Sequence, residues 1–260
     1  MLTLKGVVLT HKPIGEQDRF IDILTADRGV IEVLVKGAAK ISSKTGSATQ
    51  LFAYSEFSLA DRKGGSYFLS SVSPVRIFYG LRSSVTAVAL ASYFSQVLTY
   101  AVLPKSGTPE LLRLLLNCLH LLSQKGADEQ QIKCIFELRC ASLLGFMPDV
   151  VMCRRCGAYL PHDLVFSPRK GGFVCEDCYL PPELPSGDIP MPAGSLRAIR
   201  HIVLSEPERI FSFRVSERCR EPLFAFSEQF LRYHLDREFP ALEYYHIITG
   251  TPAPGADGST

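Results

Sequence analysis

Residues 19–35 read RFIDILTADRGVIEVLV. Two apolar runs, Arg19 to Leu24 and Val30 to Val35, flank the turn Ala26-Asp27-Arg28-Gly29. The second run alternates around Glu32 and is rich in β-branched residues, so the stretch predicts strand, turn, strand. Leu4 to His11 is a further run on the N-terminal side. Beyond a polar loop, Leu51 to Ala60 and Ser66 to Ile77 give a fourth and a fifth, joined by Asp61-Arg62-Lys63-Gly64-Gly65. None of the five is separated by a helix-period segment long enough for a crossover. Short antiparallel strands of this kind close into a small barrel, because closure removes exposed edges. An OB-type barrel is the leading candidate and an SH3-like barrel the alternative.

From residue 81 the apolar period changes from 2 to about 3.6. Thr108-Pro109-Glu110 is a helix start with a capping hydroxyl, a first-position proline and an acid near the positive end. The run that follows, LLRLLLNCLHLL, is apolar nearly all round and is expected at the centre of a bundle. Asp128 with Gln131 resembles a capping box for the next helix, which stops at Gly145 before Pro148. Pro181 to Pro192 reads as a linker or extended packing segment, helical character returns near Ser195 to Leu204, and a longer helix covers about 220–237 with Leu223, Phe226 and Phe230 on one side. The expected fold class is α+β. Residues 1–80 form the barrel, 81–149 and 181–248 two parts of a helical domain, 150–180 a small cysteine-rich insert and 249–260 a disordered tail.

Formal net charge is +2, so bulk charge alone identifies no polyanion partner. Locally, residues 1–80 hold 10 Lys/Arg against 7 Asp/Glu, while residues 186–260 hold 8 against 10, which places the basic excess on the barrel. The N-terminus shows no secretory pattern. Ser83 to Pro104 is uncharged and long enough to span a bilayer, but its seven Ser, Thr and Gln residues fit a buried helix of a soluble protein better. Eight cysteines without an export signal favour metal ligation or free thiols over disulfides.

Four of those cysteines form two C-x2-C knuckles, Cys153/Cys156 and Cys175/Cys178. Each knuckle holds two thiolates on one side of a tight turn, and two knuckles supply the tetrahedral corners of a zinc site. Leu164-Val165-Phe166, Lys170-Gly171-Gly172 and Phe173-Val174 read as a hairpin between them. Four thiolates around Zn²⁺ carry net charge −2; Arg154, Arg155, Arg169 and Lys170 are placed to offset it and to donate to sulfur. Four cysteine ligands leave no open coordination position, so the expected cofactor is one structural zinc ion per chain. Cys118, Cys134, Cys140 and Cys219 lie in helical patterns and are expected as small core residues.

No catalytic constellation emerges: there is no H-E-x-x-H, G-x-S-x-G, Walker A loop or G-x-G-x-x-G, and the six histidines are scattered. His120, in the apolar helix, is expected as a satisfied core residue. The chain is therefore expected not to be an enzyme. Lys36, Lys40 and Lys44 fall in one acid-free loop with Gly37, Ser42, Ser43, Gly46 and Ser47, a composition suited to tracking phosphates. Phe52, Tyr54, Phe57, Tyr67 and Phe68 lie on the strands, where rings serve as base-stacking platforms or barrel filling, the latter for most of them.

Gly6-Val7-Val8-Leu9, Gly15-Glu16-Gln17-Asp18-Arg19, Thr25 to Gly29 and Val35-Lys36-Gly37-Ala38 occur in that order, followed by Phe136-Glu137-Leu138-Arg139, Leu144-Gly145-Phe146-Met147-Pro148 and the Cys153/Cys156 knuckle. In order and spacing, from residue 1 to about 240, the chain resembles the bacterial RecO family of recombination mediators. The resemblance implies an N-terminal OB domain, a helical domain and a zinc finger. It implies binding of single- and double-stranded DNA, strand annealing, and partnership with RecR and single-stranded DNA-binding protein so that RecA loads onto covered single strands. It also implies a cytoplasmic, nucleoid-associated protein with no membrane partner. Lys36, Lys40 and Lys44 match the family's basic loop, and Arg19, Arg28, Arg62 and Lys63 are the further basic residues expected to share the contact. The alternative is a zinc-containing protein-interaction scaffold without direct DNA binding.

Overall fold

The computed structural model describes residues 1–37, 43–61, 65–179 and 187–251, with the side chains of Ser43 and Lys44 excepted. Most of the Lys36–Lys44 loop, part of the Asp61–Gly65 turn, residues 181–186 of the proline-rich stretch and the tail beyond 251 lie outside the described residues. The chain divides into two compact units, Met1–Ala127 with Phe239–Tyr245, and Asp128–Glu238 with His246–Thr260.

Short strands rich in β-branched and aromatic residues build the first unit. Strands β1 (Leu2–Ile14), β2 (Asp18–Thr25), β3 (Gly29–Val35), β4 (Tyr54–Asp61) and β5 (Tyr67–Arg76) close into a barrel of order β1-β2-β3-β5-β4, with the short helix α1 (Ser43–Ala48) between β3 and β4. All neighbours are antiparallel except β3 and β5, which run parallel and pair at Val33↔Tyr67 and Leu34↔Phe68. This is the OB-type arrangement and sets aside the SH3-like alternative. Val8, Ile21, Ile23, Ile31, Val33, Val35, Phe57 and Leu59 fill the interior, with Leu2, Leu4, Tyr67, Leu69 and Val72 packed around them. Val7, Leu9 and Leu24 are also buried but lie outside that cluster, on strands that contact α2 (Val85–Ala101) and α3 (Pro109–Leu122). β5 is the barrel's most open strand, exposed at Ser70, Ser71 and from Ser73 to Arg76.

α2 explains the uncharged run. Ser84 caps it by accepting from the Ala87 N–H, and nine of its residues are buried. Among the described residues, no helix is long and apolar enough to cross a membrane. α3 departs from expectation in three ways. It buries Leu111, Leu112, Leu114, Leu115, Cys118, Leu119 and Leu122 but leaves Glu110 and Arg113 in solvent, so it is one-sided and not central. The Thr108 hydroxyl does not cap it; that group donates to the Thr25 carbonyl at 3.0 Å and ties the helix start to the end of β2. His120 sits on the helix's wetter side, bonded to Arg76 and Gln124, because the buried stripe passes through Leu119 and Leu122.

The second unit surrounds a three-stranded antiparallel sheet of order β7-β6-β8, made of β6 (Asp163–Ser167), β7 (Gly172–Cys175) and β8 (Ile189–Pro192). β6 and β7 are the expected hairpin, with Phe166 opposite Phe173. β8 falls within the proline-rich stretch; as an edge strand it accommodates Pro190 and Pro192, which cannot donate to a neighbour. Helices α4 (Glu129–Leu143), α5 (Ala193–Leu204) and α6 (Glu217–Leu235) belong to this unit, and α7 (Pro240–Thr249) follows. Leu223, Phe226 and Phe230 face the core as expected, with the Phe226 ring centroid 4.2 Å from that of Phe166. Asp128 caps α4 by accepting from the Gln131 N–H at 3.1 Å, but the Gln131 amide reaches the Phe213 carbonyl instead of closing the box. Cys118, Cys134, Cys140 and Cys219 are buried. Burial pushes the Cys134 and Cys140 thiols up to about 12, which makes them inert packing groups.

Candidate metal centre and nucleic-acid interface

The metal site is assembled from two turns that flank the β6–β7 hairpin. In the first, the Gly157 N–H closes on the Cys153 carbonyl at 3.0 Å with a φ of +78°, a conformation that only glycine adopts without strain. In the second, a short 3-10 turn carries Cys175 at the end of β7 into Cys178. The Glu176 carboxylate accepts from the His162 and Asp163 N–H groups and fixes this turn to the start of β6. All four Sγ atoms lie within 4.8 Å of one another, and Cys156 and Cys175 are 3.5 Å apart. A tetrahedron with about 2.3 Å metal–sulfur bonds has edges of about 3.8 Å. The four sulfurs therefore need only sub-ångström adjustment to enclose one ion.

The chemistry of the donors agrees with the geometry. Burial opposes ionisation of Cys153, but hydrogen bonds from the Cys156, Cys175 and Arg155 backbone outweigh it and bring its thiol down to about 6. Burial raises Cys175, while hydrogen bonding to Cys156 pushes Cys178 up to about 12. Thiols this close cannot all ionise unaided, and a single divalent cation removes that conflict. The four-cysteine set thus fits a metal ion.

The basic residues act differently from expectation. Backbone N–H groups of Arg155 and Cys175 donate to the Cys153 sulfur, each at 3.4 Å. The Arg155 guanidinium goes to the Cys178 carbonyl at 2.6 Å, and Arg154 pairs with Asp149 at 3.4 Å. Arg169 lies 5.7 Å from the Tyr233 ring centroid. The side chains therefore brace the loops, and peptide groups serve the sulfur.

Of the expected DNA-contact residues whose side chains are described, Lys36 and Arg19 lie at one end of β2 and β3 and Arg28 at the other. Lys36 is exposed at the end of β3, with its ammonium 4.9 Å from the Phe68 ring centroid. Arg19 lies opposite Val35, one residue away, but is half-buried, and its guanidinium donates to the Thr49 hydroxyl at 2.7 Å. Burial lowers its pKa from the usual arginine value. Arg28 occupies the turn at the other end of β2, a strand that covers about 20 Å from Arg19 to Thr25, with its carbonyl bonded to the Lys105 N–H. Lys44 lies on α1, with its side chain outside the described residues; Lys40, Arg62 and Lys63 lie outside them altogether. Of the five aromatics expected on strands, Phe52 lies in the turn before β4 and is buried, as is Phe57 on β4, while Tyr54, Tyr67 and Phe68 are half-exposed.

Residues 1–78 match the family model described as Recombination protein O N terminal, and residues 82–243 that described as Recombination protein O C terminal. The chain is similar to a protein named DNA repair protein RecO from Acetivibrio thermocellus, 31% identical over 247 residues that cover 95% of this chain and 97% of the relative. Proteins of the same name from Pelotomaculum thermopropionicum and Alkaliphilus metalliredigens are 30% and 28% identical, over 95% and 94% of this chain and 94% and 98% of the relatives.

Proposed function

Since the chain belongs to the RecO family, we propose that it is a DNA-binding recombination mediator acting in DNA repair. It anneals complementary strands and, with RecR, helps RecA load onto single strands covered by single-stranded DNA-binding protein. The observation that carries this reading is the closed barrel with the chain's basic excess, in the residues that match the family's N-terminal model.

The work is done by binding free energy. Cations on the barrel neutralise phosphates and release counterions, without sequence preference. Two strands held on one protein meet at raised effective concentration and pair faster. No covalent step is assigned to the chain. Cys153, Cys156, Cys175 and Cys178 would hold a zinc ion whose role is to cross-link the two knuckles and stabilise the second unit.

A fluorescence-anisotropy titration with a labelled oligonucleotide over a range of salt tests the reading. The logarithm of affinity should fall linearly with log salt, by about 0.7 for each phosphate neutralised on a single strand. Changing Lys36, Lys40 and Lys44 together to Ala should weaken binding and flatten the slope. The scaffold alternative draws on exposed Met147, Val151, Met152, Tyr159 and Leu160 around the first knuckle, an apolar surface suited to a protein partner. Absence of oligonucleotide binding in dilute buffer, with retained protein partnership, would favour it.

A further inference from the structure

In the first unit a groove of about 310 Å³ opens between the Gln50–Ala53 turn and the segment Ile77 to Arg82. Phe52, Phe78 and Leu81, all largely buried, line it, together with His11, Gln50 and Arg82. None of its lining residues is acidic. Its surroundings are biased the same way: residues 65–109 contain Arg76, Arg82 and Lys105 and not one Asp or Glu.

Among the described residues, neither Arg76 nor Arg82 pairs with a carboxylate. Arg82 donates to the Gln50 side-chain oxygen, and Arg76 donates to His120 Nδ1 at 2.9 Å, so neither partner is an anion. Each guanidinium also lies by an aromatic ring, Arg82 at 5.8 Å from the Tyr79 centroid and Arg76 at 5.3 Å from that of Phe78. Tyr79 is 64% exposed, beside the groove.

The walls are held firmly. At Gly80 a side chain would meet the Ser123 carbonyl oxygen at 1.9 Å, so the Tyr79–Gly80 turn lies hard against the end of α3. On the other wall, the Phe52 N–H donates to the Val8 carbonyl and the Ala53 N–H closes the turn on Gln50. Phe52 has a φ of +66° where glycine or asparagine is favoured. A ring kept in a strained position, at the lip of a groove, marks the kind of place where strain accompanies function.

An apolar slot lined by Arg82, with Arg76 beside its Phe78 wall, matches the two halves of a nucleotide, a flat base and its phosphate. The slot is at the small end of ligand pockets, about 300–1,000 Å³, and admits one ring system, whereas the apolar face of a peptide helix extends over several turns of 5.4 Å. We propose that this groove receives one unstacked base of a single DNA strand, with Tyr79 as its stacking platform and Arg76 and Arg82 on the adjoining phosphates. The open face of β5 leads to it: Lys36 lies over Phe68 at one end, Ser70, Ser71 and Ser73 are exposed along the strand, and Arg76 stands at the other. Phe68 to Arg76 covers about 26 Å at strand rise, room for a few nucleotides of an OB-type site. The inference rests on the reading of the chain as DNA-binding and adds where an unpaired base goes.

The test uses the full-length protein, the variants Tyr79→Ala and Arg82→Ala, and three labelled probes at one salt concentration: oligo(dT), an abasic oligomer of equal length and a blunt duplex. Tyr79→Ala should weaken oligo(dT) binding about 5- to 150-fold, the worth of one stacked base. It should leave the abasic oligomer and the duplex within about twofold, since neither offers an unpaired base. Arg82→Ala should weaken oligo(dT) and the abasic oligomer together. A 5-iodouracil oligonucleotide should photo-crosslink to Tyr79 or Phe78. Oligo(dT) binding unchanged by Tyr79→Ala, or lost equally for all three probes, would overturn the groove while leaving DNA binding intact. Binding of an acidic, aromatic-ended peptide that Tyr79→Ala abolishes, with oligo(dT) unaffected, would make it a peptide site. Failure of the wild-type protein to bind any probe would instead overturn the DNA-binding reading itself.

Discussion

Lys133 is buried with its ammonium 2.9 Å from Glu137 and 2.7 Å from Glu228. Burial opposes its charge, but the two carboxylates outweigh burial and its pKa is raised. Burial alone would raise Glu228; the hydrogen bond to His246 and the Lys133 charge drive it down instead. Glu137 has Lys133 and the Ser227 hydroxyl as partners and is held up by burial. Removing one member of such a cluster strands the others, at a cost of about 3–5 kcal/mol. Lys133→Met is therefore expected to lower the unfolding free energy by roughly that amount at pH 7 in urea denaturation. In the variant Glu137 loses Lys133, so its folded pKa, already raised by burial, rises further above the unfolded value of about 4.3, while Glu228 keeps Arg232 at 3.4 Å and His246. A group raised in this way adds stability below the unfolded value and loses it as pH rises through the folded one. Wild-type Glu228, being depressed, keeps its contribution until pH falls below about 4.3. The deficit should thus narrow between pH 7 and pH 5, and an equal deficit at both would assign the loss to packing. None of this was legible in the sequence: Lys133 and Glu137 stand four apart like any solvated helix pair, and Glu228 arrives from α6.

Elements with a strong local signal were legible. The five barrel strands are legible as short runs rich in β-branched and aromatic residues bounded by turn residues, and α3 because Pro109 and the leucine run announce it. β8 was missed as a strand because Pro190 and Pro192 argue against one, and only an edge position next to β6 makes them harmless. The cysteine cluster was legible to the residue, since C-x2-C spacing encodes its own turn. What holds its sulfurs was not, because peptide N–H groups are the same in every sequence. The β6–β7 hairpin depends on the two knuckles, so removal of a bound ion should loosen it first. Hydrogen exchange with and without chelator should show protection lost across residues 163–175 while β2 and β3 keep theirs. Cys156→Ser should reproduce the effect without chelator. Unchanged protection would deny the metal a structural role, and simultaneous loss in the barrel would deny the lobe its independence.

At the scale of the molecule, charge is divided along the chain, with the excess of cations in residues 1–80 and of acids in residues 186–260. A phosphate backbone should accordingly meet the barrel. Composition carries this bias but not its layout, because register decides which basic residues share an end: Arg19 beside Lys36, and Arg28 in the turn beyond the far end of β2. Annealing by such a surface has a kinetic signature. Two strands must occupy one protein, or one coated strand must meet a second, so the rate should rise with protein until the strands are covered and fall beyond that point, when each strand is separately saturated. The rate should also decline with salt in step with affinity, since both depend on the same released counterions. Under the proposed mechanism, strand lengths should be unchanged on a denaturing gel and no nucleoside triphosphate should be needed. A stopped-flow assay with donor- and acceptor-labelled complementary strands measures the dependence on protein, salt and nucleoside triphosphate, and the gel measures strand length. A rate indifferent to salt, or shortened products, would mean that the chain acts by something other than gripping the backbone.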